Sequence, residues 1–157
     1  MQFRYMAIPT LQARNLQSGG VDAHGNRPER TTSDGSGNPC RHCLRDIAGG
    51  KGMLIAAYTP FASRQPFAET GPIFVCEKMC ERHDDTATLP RLFANRQSLL
   101  MRGYTADERI SYGTGQIIEP ERCQDYLENT FANPQIAFVH IRSATNNCFQ
   151  CRVERKR

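Results

Sequence analysis

Four of the seven cysteines in this 157-residue chain stand in two C-x2-C pairs, Cys40/Cys43 in "NPCRHCLRD" and Cys148/Cys151 in "NNCFQC". Two more, Cys76 and Cys80, precede His83 in "CEKMCERH". No other feature constrains the fold as tightly, because thiolates that share an ion force distant segments into bonding range. Zinc takes four tetrahedral ligands, and two thiolates on a tight turn span one edge of that tetrahedron with little strain. The number of cysteines is odd, and their density is below that of a disulfide-stapled domain. The opening "MQFRYMAIPTLQARNLQ" carries neither a long apolar run nor a small-residue cleavage site, so the expected location is the cytoplasm. Disulfides are rare there, and clustered cysteines suggest metal or thiol chemistry.

Topology discriminates between ligand sets. "MLIAAYT" (53–59) is an apolar run between Gly52 and Pro60, and "PIFVC" (72–76) is another, opened by Pro72. Both read as buried strands. If they pair antiparallel, the start of the first lies beside the end of the second. Gly49, Gly50 and Gly52 then let the chain carry Cys40 and Cys43 back towards Cys76 and Cys80. These four form the favoured set for a structural zinc ion, with His83 as a substitute for Cys76. The rival set joins Cys40 and Cys43 to Cys148 and Cys151, which needs the last hairpin beside the first knuckle. The third reading has no metal, since free cysteine behaves as a small, often buried hydrophobe. A redox couple in "CRHC" would need a helix N-terminus at the pair to depress a thiol pKa. "LRDIAGGKG" is too short and too glycine-rich for one, so a thiol oxidoreductase is the weakest reading.

Elsewhere the pattern is mostly of strands. Residues 2–7 alternate with Phe3 and Tyr5 on one face, and Pro9 opens a short helix carrying Leu11 and Leu16. Residues 21–39 are rich in Gly, Ser, Asn, Asp and Pro and read as a long polar loop whose chemically capable members are His24, Asp34 and Asn38. One or two helical turns open at Pro90. Strands are expected at 98–104, at 109–112 and 115–118 across a glycine turn, at 136–142, and at 149–155. "EPERCQDYLENTFANP" (119–134) is the clearest helix, with Cys123, Tyr126, Leu127, Thr130 and Phe131 on its inward face. Strands outnumber helices and their connections are short. The expected fold is therefore α+β: one domain over 1–157, a mainly antiparallel sheet, two or three short helices and a cysteine-rich knuckle.

A formal charge of +4 with scattered basic residues lacks the dense stripe of a nucleic-acid binder, and the basic tail 152–157 reads as a solvated end. Mean hydropathy is −0.57, and no window approaches a membrane span. Nucleophile-elbow, Walker, HExxH and dinucleotide signatures are absent from the sequence. "RGYTADERISYG" gathers Arg102, Tyr104, Asp107, Arg109 and Tyr112, either as an anion clamp built on arginine forks or as an ordinary surface hairpin. In "FVHIR" His140 and Arg142 share one strand face, opposite Val139 and Ile141. If that face is covered, His140 and Arg142 would line a pocket, with Arg102 and Tyr104 beside them and His140 able to work as acid or base. If it is wet, the alternation is that of any half-exposed sheet.

The stretches "SDGSGNPCRHCLRDI", "ETGPIF", "RGYTADERISYGTG" and "VHIRSATNNCFQCRVER", in this order, resemble the bacterial family called domain of unknown function 1203. The resemblance covers nearly the whole chain. It implies a small single-domain cytoplasmic protein and no stated activity. The reading that results is an accessory or binding protein with a structural zinc site, its partner a small molecule or a protein. The alternative is a small enzyme with a pocket at His140 and Arg142.

Overall fold

Alternating burial marks the first strand. In β1 (Phe3–Met6) Phe3 and Tyr5 are buried between half-exposed neighbours. Pro9 ends that run in extended conformation and leads into α1 (Thr10–Gln17). The computed structural model describes residues 1–156, which form eight strands and three helices in an α+β arrangement. No helix among the described residues is long and apolar enough to cross a membrane.

Two antiparallel sheets result. The smaller holds β2 (Glu29–Thr32), β3 (Gly52–Tyr58) and β4 (Gly71–Cys76) in that order. The larger follows the order β1, β8 (Phe149–Arg155), β7 (Phe138–Ser143), β5 (Leu99–Tyr104) and β6 (Gln116–Ile118). The short helix α2 (Arg91–Ala94) precedes β5. A 3-10 turn over Pro120–Arg122 leads into α3 (Cys123–Phe131).

Each face of the larger sheet has its own core. Met101, Val139, Ile141, Cys151 and Val153 face the α3 side, where Leu127 and Phe131 are buried and Phe131 stacks on Phe3 at 5.4 Å. Burying each of those two helix side chains contributes roughly 1.5–3 kcal/mol. Cys123 is sealed in the same core, with the Tyr5 hydroxyl 3.6 Å from its sulfur, as its place on the inward face predicts. The opposite face carries Tyr104, Phe138, His140 and Phe149. A second apolar cluster, under the smaller sheet, joins α1 to β3 and β4 through Ala13, Leu16, Leu54 and Val75. Between Ile141 and Arg142 the β7–β8 register slips by one, so Ile141 faces Cys151 whereas Arg142 faces Phe149. This bulge puts Phe149 on the face of His140 and Arg142.

Several sequence expectations are corrected. The polar segment 21–39 is not all loop, because Glu29–Thr32 forms the edge strand β2, fully exposed and held by main-chain pairing to β3. Residues 109–112 form no strand. The backbone N–H of Thr105 donates to the Arg109 carbonyl at 3.0 Å, Glu108 turns at φ 63°, and only Ile110 makes an isolated bridge to Tyr104. β6 pairs with β5 instead. Leu11 is 83% exposed; α1 turns Ala13 and Leu16 inward. The expected basic tail is mostly β8, with Arg152 bound to Glu154 at 2.7 Å; Arg157 lies outside the described residues.

Candidate metal centre

The β3–β4 hairpin has the register its sequence suggests: Met53 faces Cys76 and Tyr58 faces Gly71. The end of β4 therefore lies at the start of β3. The Cys40–Cys43 segment docks there as a tight knuckle. The Leu44 N–H donates to the Cys40 carbonyl at 3.0 Å and the Cys40 N–H to the Arg45 carbonyl at 2.9 Å, with Leu44 at φ 50°. A short parallel bridge, Cys40 to Phe74, fixes the knuckle on β4, and the Arg41 N–H donates to the Phe74 carbonyl at 2.9 Å.

The consequence is a cluster of four thiols. The sulfurs of Cys40, Cys43, Cys76 and Cys80 all lie within 4.8 Å of one another, with Cys40–Cys80 at 3.9 Å and Cys43–Cys76 at 4.0 Å. A tetrahedral ion with bonds of about 2.3 Å sets its sulfurs about 3.8 Å apart. The set fits a metal ion, and the observed separations are far outside disulfide bonding distance. Cys40 is fully buried; the other three are half-buried and line a cleft of about 590 Å³ together with Arg45, Lys51 and Lys78.

The four thiols share their protons. Hydrogen bonds from Cys43 and Cys76 hold Cys40 down at about 7, and those from Cys40, Cys43 and Cys76 lower Cys80. Cys43 and Cys76 are raised, first by their hydrogen bonds with Cys40, with burial and the charge on Cys40 adding to the shift. Losing the remaining protons to an ion is the ordinary way such a cluster becomes fully ionised.

Residues around the thiols set their positions. The Nδ1 of His42 lies 3.1 Å from the Cys80 sulfur, and its Nε2 is 3.0 Å from the Thr10 hydroxyl. With the proton on Nδ1 the ring donates to sulfur and accepts from Thr10. From α1, Gln17 Nε2 donates to the carbonyls of Cys76 and Lys78 at 2.9 and 3.1 Å, and Arg14 Nη2 donates to that of Cys80 at 2.7 Å. Arg41, only 3% exposed, donates to the carbonyls of Phe149 and Pro39, each at 2.7 Å. Burial lowers its pKa to about 10, which leaves it cationic at neutral pH.

The alternative ligands do not join the cluster. His83 turns its Nε2 to the Thr86 hydroxyl at 3.3 Å. Cys151 is buried in the larger sheet with its sulfur 3.4 Å from the Met6 carbonyl. Cys148 lines a separate cleft. Among the described residues the only group of three or more metal-ligating side chains in range of one ion is the four-cysteine set.

The second expected group is assembled too. Arg102 pairs with His140 across β5 and β7, and its Nε donates to the Tyr104 hydroxyl at 2.9 Å. Arg102 and Arg142 both donate to Glu69, the former at 2.9 Å. The polar face of β7 is thus covered, but His140 lines no open space: its ring is 0% exposed amid Phe61, Tyr104, Phe138 and Phe149. Burial, then Arg142, Arg152 and Arg102, drive its pKa well below the usual imidazole value. The more distal part of the proposed clamp splits away, with Arg109 and Asp107 forming an exposed pair at 3.3 Å. His24 is exposed, and Asp34 accepts from Asn38 and the Ser36 N–H at 2.7 and 2.8 Å, as turn residues do.

Sequence reasoning missed His42 and Glu69. His42 stood inside the C-x2-C pair, where it read as a spacer, and Glu69 stood in a connection between strands. No curated protein and no solved structure matches this chain. A family model described as "Protein of unknown function (DUF1203)" matches residues 37–155, a span that starts just ahead of the cysteine knuckle and closes with the last residue of β8. Knuckle, hairpin and Arg142 face lie inside that span, and the chain belongs to this family.

Proposed function

We propose that this protein is a cytoplasmic accessory or binding protein whose smaller sheet is locked by one structural zinc ion on Cys40, Cys43, Cys76 and Cys80. The observation that carries the reading is the mutual proximity of four thiols drawn from two segments, at separations close to a tetrahedral edge. Four protein ligands leave no position for water or substrate, which is the mark of a structural rather than a catalytic zinc site. Soft thiolates favour zinc over magnesium or calcium. The role of the ion is to tie the knuckle to the hairpin end and so to hold the neighbouring 21–39 segment in shape for a partner. A thiol oxidoreductase has less support, since no helix starts at Cys43.

Metal content and thiol titration of the purified protein test this. About one zinc per chain is expected, with four fewer reactive thiols before chelation than after, and Cys40→Ser should lose most of the metal. A metal-free protein whose Cys40 and Cys43 cycle reversibly to a disulfide would replace this reading with the redox one. The second reading, a small enzyme, is favoured by one observation, the cleft beside Arg142.

A further inference from the structure

The four sulfurs of the cluster differ in what else they touch. Cys80 takes the His42 Nδ1–H at 3.1 Å and lies 3.9 Å from Gln17 Nε2. Cys40 accepts from the Cys76 N–H at 3.4 Å. Among the described residues no N–H reaches the sulfur of Cys43 or of Cys76, and these two lie 4.0 Å apart. A hydrogen bond to a thiolate draws charge from the sulfur and makes it a poorer nucleophile. Once all four are ionised, Cys43 and Cys76 are therefore the electron-rich pair. Access excludes Cys40, which is 0% exposed. Cys43, Cys76 and Cys80 are half-buried and line the cleft of about 590 Å³ with Arg45, Lys51 and Lys78. Cys80 shares the cleft, so its hydrogen bonds set it apart from the other two.

We infer that Cys43 and Cys76 are the reactive pair of this centre, a two-electron modification site for small hydroperoxides. The inference rests on the zinc reading, because a bound ion is what keeps both groups as thiolates. One thiolate attacks the peroxide: an S–O bond forms, the O–O bond breaks, and the departing alkoxide or hydroxide takes a proton from water. The second thiolate then attacks the sulfenic sulfur, closing the S–S bond and expelling hydroxide. Two electrons pass from the sulfur pair to the peroxide. The cationic wall of Arg45, Lys51 and Lys78 favours both oxyanion departures. From 4.0 Å, the sulfurs have about 2 Å to close before they bond. The disulfide joins the knuckle to the end of β4, the same two segments that the metal site joins. Cys40 and Cys80 alone no longer complete a tetrahedral site, so metal is released while a covalent link keeps the knuckle in place.

Zinc-loaded full-length protein, its metal content measured first, is treated with substoichiometric hydrogen peroxide. Disulfides are then mapped by peptide mass spectrometry after an acid quench and alkylation. Cys43–Cys76 should be the main first product, with about one zinc released per disulfide into a chromophoric chelator. Hydrogen exchange should show residues 38–47 still protected in the oxidised form. His42→Ala, loaded in excess zinc, should raise the share of Cys80-containing disulfides several-fold, since it strips the Cys80 sulfur of its nearest donor. A first disulfide that contains Cys40 or Cys80 in the wild type overturns the inference. So does a His42→Ala map identical to that of the wild type, or oxidation confined to Cys148 with the four thiols and the metal intact. Loss of protection over 38–47 on oxidation also overturns it. The wild-type map decides by itself where His42→Ala fails to hold zinc. A protein that takes up no zinc fails the zinc reading and this inference together, whereas a loaded protein with another disulfide fails this inference alone.

Discussion

His42 and His140 are both sealed from solvent, yet only His42 has partners for its ring nitrogens. His42 donates toward Cys80 and is itself held by Thr10, an arrangement that orients a ligand sulfur and tempers its charge. Second-layer partners of metal ligands commonly matter by about 10–100-fold in affinity, so His42→Ala should weaken zinc binding by that factor in competition with a chromophoric chelator. Unchanged affinity would remove His42 from the site. His140 has neither nitrogen paired, and its pKa is depressed in the folded state. Below about pH 6.5 the unfolded chain binds a proton there that the native state refuses, so stability falls as the pH falls. His140→Leu removes this term. Its stability relative to wild type should improve by about 1.4 kcal/mol per pH unit below 6.5 in urea titrations, and a difference independent of pH would refute the assignment. At neutral pH the leucine also removes an unsatisfied group, worth about 1–3 kcal/mol. These two residues mark the limit of legibility at this scale. The sequence pointed to His140 as a pocket residue through period-two alternation, which carries facing but not enclosure.

At the scale of elements, the geometry of the four-thiol cluster was readable where the hydrophobic pattern was strong. "MLIAAYT" and "PIFVC" read as buried strands, and their antiparallel pairing, with the glycines at 49, 50 and 52 turning the chain back, favoured the four-cysteine set over the one with Cys148 and Cys151. β2 was not readable, because Glu29–Thr32 buries nothing and an edge strand held by main-chain pairing leaves no apolar period in the sequence. The β7–β8 bulge was equally hidden, though it decides that Phe149 rather than Gln150 walls the Arg142 cleft. α1 was foreseen as a helix but not as a clamp. Gln17 donates to two carbonyls of the Cys76–Cys80 loop, and Arg14 donates both to Gln17 and to the loop. These bonds hold the Cys76–Cys80 loop from outside the thiol cluster. Gln17→Ala leaves the buried face of Ala13 and Leu16 intact, so the helix should persist by circular dichroism. Zinc should dissociate several times faster in a chelator chase, since loop carbonyls released to water let Cys76 and Cys80 separate. Wild-type release kinetics would show that the hairpin alone sets the loop.

The two larger cores lie between α3 and the larger sheet and under the smaller sheet, with a small aromatic one of Phe61, Tyr104 and Phe138 beside them, and the four thiols belong to the core under the smaller sheet. A structural zinc is worth an apparent 10–16 kcal/mol in small peptides, as much as the whole net stability of a domain at roughly 5–15 kcal/mol. If the two cores were one cooperative unit, removing the ion would unfold everything. They are joined at the knuckle, where Leu44 packs into the first core and Arg41 donates to the Phe149 carbonyl, and at β8, whose Phe149 lies in one core and Cys151 and Val153 in the other, a link the chain keeps without metal. Chelation should therefore open the protein locally. In hydrogen exchange, amides of 38–47 and 71–82 should lose protection by more than tenfold, whereas β7, the inner part of β8 and α3 keep theirs. Uniform loss of protection through β7 and α3 would instead make the ion a keystone of the entire fold, and the separation of the two cores would carry no energetic meaning.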